Sequence, residues 1–61
     1  MFEIGDIIRH IRSDHHYLVI KKKKYFTPHS ERIVFVVRSM VDGAELDIHY
    51  PLMSFNYEKV A

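Results

Sequence analysis

The apolar positions of this 61-residue chain fall into short runs separated by polar punctuation, and most runs alternate. A period of two marks a half-buried β-strand, whereas spacings of three and four mark a helix. Tyr17-Leu18-Val19-Ile20 runs into lysines and reads as a strand. Arg32 to Met40 is apolar on both faces near its middle, as expected of a central strand. Glu45 to Tyr50 is a further strand. Ile4, Ile7, Ile8 and Ile11 fit the helical template, yet all four are β-branched and Gly5 weakens a first helical turn. Strand is therefore favoured for residues 4–11. Arg12 to His16 reads as a polar turn, and Phe26 to Glu31 as a loop punctuated by Pro28. Pro51 to Phe55 suits a short helical turn, and Asn56 to Val60 a short final strand.

Asp42-Gly43 between two apolar-rich runs is a strong local hairpin signal. Taken as a two-residue type I′ turn, it pairs Ser39 with Leu46, Val37 with Ile48 and Phe35 with Tyr50. One face then collects Phe35, Val37, Leu46, Ile48 and Tyr50, the expected core. The other collects Val36, Arg38, Met40, Glu45, Asp47 and His49. This sorting is what a half-buried sheet requires.

Composition narrows the class. Residues 1–61 make one expected domain, and one this small buries only about 60% of the surface its unfolded chain exposes. The chain is 48% hydrophobic and 13% aromatic, so it is expected to fold. It has no cysteine, which removes disulfides and cysteine-based zinc sites. The N-terminus lacks the basic start and long apolar run of a signal peptide, and Ile33–Val37 is far too short to span a bilayer. A cytoplasmic protein with no membrane partner is expected. Net charge is only +1, too little to signal nucleic-acid binding by itself, but Lys21 to Lys24 concentrate it.

Five short strands, a tight hairpin between the third and fourth, and a turn before the fifth resemble an SH3-like small β-barrel. Phe2-Glu3-Ile4-Gly5-Asp6-Ile7-Ile8-Arg9 looks like the opening of such barrels, and Phe55-Asn56-Tyr57-Glu58-Lys59-Val60 like their closing strand. The broad class includes KOW and Tudor-type modules. The resemblance implies an all-β, five-stranded SH3-like barrel with a short helical turn before the last strand, acting as a non-catalytic binding module. There is no Trp and no acidic first loop, so proline-rich peptide recognition is not carried over. The brevity of the chain suggests a phage or bacterial accessory protein.

Catalytic chemistry finds little to work with. His15 and His16 are adjacent and point opposite ways on an extended chain. No His-Glu-x-x-His spacing is present, so His10, His15, His16, His29 and His49 read as surface histidines. No serine lies in a Gly-x-Ser-x-Gly elbow, and two glycines leave no phosphate-cradling loop. Neither an enzyme nor a cofactor is expected.

Two surfaces are candidates for binding. The first is a basic patch of Arg12, Tyr17, Lys21, Lys22, Lys23, Lys24, Tyr25 and Arg32. Lys21 and Lys23 face one side of an extended strand, and Lys22 and Lys24 the other, so the strand must leave the core there. The block either contacts phosphates or an acidic surface, with aromatics nearby for stacking, or guards an edge against aggregation. The second is the sheet face of Val34, Val36, Arg38 and His49. Apolar residues on a face that should be wet suggest a partner or self-association, unless the N-terminal segment or the loop at 26–31 covers them. The leading expectation is a protein partner held at the sheet face or an edge. Nucleic-acid binding through Lys21 to Lys24, helped by Arg12 and Arg32, is the alternative, and a homo-oligomer is the third.

Overall fold

Alternate positions carry Ile8, Tyr17, Val19, Phe35, Val37 and Ile48, and burying that one set of side chains organises the chain. The computed structural model describes residues 2–61. It contains β1 (Ile7–His10), β2 (His16–Phe26), β3 (Glu31–Ser39), β4 (Glu45–His49), a helix α1 (Tyr50–Asn56) and β5 (Tyr57–Lys59). All neighbouring strands pair antiparallel in one sheet of order β4-β3-β2-β1-β5. β4 and β5 sit at opposite ends of that order and do not pair. The sheet is not closed, so the strands and helical turn expected from the sequence are present but barrel closure is not.

The inner face of the sheet holds the core. Ile8, Val19, Phe35, Val37, Ile48 and Met53 are buried there with Tyr17, and Phe2, Ile33, Tyr50 and Tyr57 pack around them. Met53 is the buried residue of α1 and closes the core from the helix side. Pro51 lies in the first turn of α1, where its missing N–H costs nothing. Phe35 is the centre: the Phe2 ring meets it edge-on at 6.3 Å and the Tyr50 ring lies 6.2 Å away. Burial pushes the Tyr57 phenol above its ordinary pKa, with the neighbouring Tyr17 adding to the shift.

Ile4 to Ile11 is settled as a turn followed by a strand. Gly5 takes φ +96°, Asp6 N–H donates to the Glu3 carbonyl at 3.1 Å, and Gly5 N–H donates to the Val19 carbonyl at 2.8 Å. This turn breaks the helical spacing before Ile7 and leaves Ile4 exposed.

The β3–β4 connection differs from the expected type I′ turn. Ser39 N–H donates to the Ala44 carbonyl at 2.8 Å, so the loop is four residues long, Met40 to Gly43. Within it only Gly43 has positive φ, +77°. The register is shifted by two from the expected one: Phe35 faces Ile48, and Val37 faces Leu46. A shift of two preserves which face each residue occupies, which is why the expected sorting survives. The loop is closed by Asp42, whose carboxylate accepts the Ala44 N–H at 3.0 Å. That bond, with help from Ser39, holds the Asp42 carboxyl below the usual range. It therefore supports the loop above the ordinary carboxylate pKa and is lost as pH falls through the depressed one. The β1–β2 connection has the same plan: His10 N–H donates to the His15 carbonyl at 2.8 Å across four residues, and the last of them, Asp14, has φ +62°.

Two core expectations are corrected. Leu46 is 43% exposed, because it lies near the loop end of edge strand β4. Val34 and Val36, expected on the wet face, are 4% and 5% exposed.

β2 and β3 extend past their neighbours. Pairing with β1 ends at Leu18 and pairing with β4 ends at Val34. Lys24 to Phe26 pair with Glu31 to Ile33 as a two-stranded ribbon, and the molecule is accordingly elongated, 38 × 20 × 17 Å. The tip turn is held by Thr27, whose hydroxyl accepts the Ser30 N–H at 2.9 Å.

Gly43→Val is expected to cost about 1–3 kcal/mol. No neighbour lies near enough to clash with an added Cβ, so the cost comes from φ alone. An unchanged melting temperature would contradict it. Phe35→Ala is expected to cost about 3–5 kcal/mol, enough to unfold much of so small a domain. Leu46→Ala should cost less than about 1 kcal/mol. Equal destabilisation by the two in denaturant melts would show the inner face to be wrongly bounded.

Candidate binding face

A single extra residue in β2 decides where the lysines go. Val19 faces Val37, but Lys21 faces Val36, so Ile20 is a β-bulge. Beyond it, Lys21 and Lys23 share the outer face of the sheet with Val36 and Val34, and Tyr25 lies opposite Arg32. His49 stands across from Val34 on the other side, and Arg38 faces Leu18. The two candidate surfaces of the sequence thus merge in part. Lys21, Lys23, Tyr25 and Arg32 from the basic patch join Val34, Val36, Arg38 and His49 from the sheet face.

The remaining members of the basic patch lie elsewhere. Lys22 and Lys24 are on the inner side: Lys22 Nζ stands 5.8 Å from the centroid of the Phe35 ring, and Lys24 Nζ is 3.9 Å from Glu31. Tyr17 is a core residue, its ring edge-on to Tyr57 at 5.8 Å, so it offers no stacking surface. Arg12 sits in the β1–β2 turn, before β2 begins.

Several cations are held by carboxylates, Arg38 on the outer face among them. Arg9 binds Glu58 and Asp14, Arg38 binds Glu45 at 3.0 Å, and Lys59 lies 3.5 Å from Asp6. The two carboxylates hold the Arg9 guanidinium protonated even more firmly than usual. Among the described residues, Lys21, Lys23 and Arg32 have no carboxylate within ion-pairing distance. The charge is also segregated along the molecule. Residues 21–34 carry five of the nine Lys and Arg but one of the eight Asp and Glu, leaving four cations against seven acids elsewhere.

Val34 and Val36 are nearly inaccessible although, among the described residues, no element crosses their face. α1 and Phe2 pack on the inner side, and the 26–31 turn lies at the tip of its own hairpin. The side chains beside them are Lys21 and Asp47 at Val36, and Lys23 and His49 at Val34. The cover comes from these cross-strand neighbours, among which the alkyl stems of Lys21 and Lys23 are long enough to lie over the valines with their ammonium groups in water. What this face presents to a partner is cationic rather than apolar.

One groove adjoins it. Arg32, His49, Pro51 and Leu52 line an open groove of about 420 Å³ where β3 and β4 meet the start of α1. No local sequence signal marks it, because only the β3–β4 register brings Arg32 near Pro51. A smaller hollow of about 220 Å³ lies by the β3–β4 loop, lined in part by His15, Tyr17 and Asp42. Among the described residues no three His, Asp or Glu are grouped as metal ligands, and no helix is long and apolar enough to cross a membrane.

Covering by the lysine stems can be tested directly. Lys21→Met with Lys23→Met keeps the stems and should leave stability nearly unchanged. Lys21→Ala with Lys23→Ala uncovers the valines and should cost at least about 1 kcal/mol more. Identical chemical-denaturation midpoints for the two pairs would show that the stems shield nothing.

The chain matches no family model, no curated protein and no solved structure.

Proposed function

We propose that this protein is a non-catalytic nucleic-acid-binding module that uses the outer face of the β2–β3 ribbon. The observation that carries this reading is that Lys21, Lys23 and Arg32 share one face and, among the described residues, have no carboxylate within ion-pairing distance. Such surface cations gain most from a ligand that brings regularly spaced anions and releases counterions. Tyr25, half exposed on the same face, adds a ring on which a base can stack. Covering of Val34 and Val36 by lysine stems weighs against an apolar protein contact there.

A protein partner is the second reading, favoured by the open edges of the sheet. β4 is paired on one side only, and among the described residues the ribbon has free backbone along both sides. A partner strand could add there through backbone hydrogen bonds. The lysines of the ribbon oppose such pairing unless the incoming strand is acidic.

Binding to generic DNA and RNA, titrated with salt, separates the two readings. Affinity is expected to fall steeply with salt. Lys21→Gln with Lys23→Gln should flatten that dependence by about 0.7–0.9 slope units for each phosphate the variant no longer neutralises. Lys22→Gln with Lys24→Gln should have the smaller effect, because those side chains lie on the inner face. Salt-independent or absent binding would favour the protein partner, and equal effects of the two pairs would remove the face assignment.

A further inference from the structure

We infer that the nucleic acid is single-stranded, and that an unpaired base enters the groove between Arg32, His49, Pro51 and Leu52. This rests on the reading of the outer face as a nucleic-acid surface and specifies its ligand. Arg32 and His49 are both outer-face residues, so the groove continues the surface carrying Lys21, Lys23 and Tyr25. Its chemistry is mixed. Arg32 brings a planar cation that can face a base or hold a phosphate, and His49 a ring of similar shape. Pro51 and Leu52 bring apolar walls, and Leu52 is 58% exposed, with more than half its surface turned to solvent.

A phosphate chain alone has no use for those walls. A base has a flat apolar surface and an edge that forms hydrogen bonds, and the groove offers it both apolar walls and polar groups. In a duplex the bases are stacked inside and cannot reach the groove without being unpaired. In a single strand they splay out freely while the backbone follows the lysines. Tyr25 and the groove lie on either side of Arg32, which allows two bases of one strand to be engaged with Arg32 between them.

The test compares four fluorescent probes by anisotropy at one salt concentration: a short single-stranded DNA, its RNA counterpart, its duplex, and the same strand with abasic sites. The two single strands with bases are expected to bind at least tenfold tighter than the duplex or the abasic strand, since stacking one base contributes about 1–3 kcal/mol. Leu52→Asn should weaken binding to the single strands about five- to tenfold and leave the abasic strand unaffected. Its melting temperature should stay unchanged, because Leu52 is outside the core. Equal affinity for the duplex or the abasic strand, or wild-type affinity in Leu52→Asn, overturns the single-strand inference. If Lys21→Gln with Lys23→Gln still weakens binding in that case, the outer-face reading survives alone. If none of the probes binds, both fall.

Discussion

Where the lysines of β2 point depends on the β-bulge at Ile20. β2 must serve two environments in succession, a core at Tyr17 and Val19 and water from Lys21 onward. Uninterrupted alternation would place Lys21 on the same face as Val19, against Phe35. The extra residue turns Lys21 and Lys23 outward and delays the first inward lysine to Lys22. Lys22 takes the place opposite Phe35 and holds its Nζ 5.8 Å from the ring centroid, a contact in which a cation is tolerated.

Much of the fold could be read from the residues, and the failures have definite causes. Alternation located the strands because burial of one face is a local rule, applied residue by residue. Asp42-Gly43 located the hairpin because Gly43 does need positive φ. It misjudged the loop length because the same glycine also ends a four-residue loop, in which Asp42 acts through its side chain and not through its backbone angle. The β1–β2 turn repeats that geometry with Asp14, a residue that tolerates the left-handed region without advertising it. Leu46 was misplaced because alternation says which face a residue occupies, not how far the core extends along it.

The candidate face was legible in pieces. Each half was visible: the lysines as a charge run, the valines as apolar residues on the wrong side. Their union was not, because it depends on a one-residue irregularity with no signature in Val19-Ile20-Lys21 itself. The groove depends on pairing between segments far apart in sequence and leaves no local trace.

The separation of charge along the long axis has a consequence before any contact is made. A basic ribbon at one end and an acidic body at the other give the protein a large electric dipole despite a net charge of only +1. Near a polyanion the field exerts a torque on that dipole, and molecules are turned ribbon-first while still diffusing. Productive encounters then make up a larger share of collisions than chance orientation allows. The advantage fades once the ionic atmosphere is thinner than the molecule is long, which at physiological ionic strength, with a screening length of about 8 Å, confines it to the last approach.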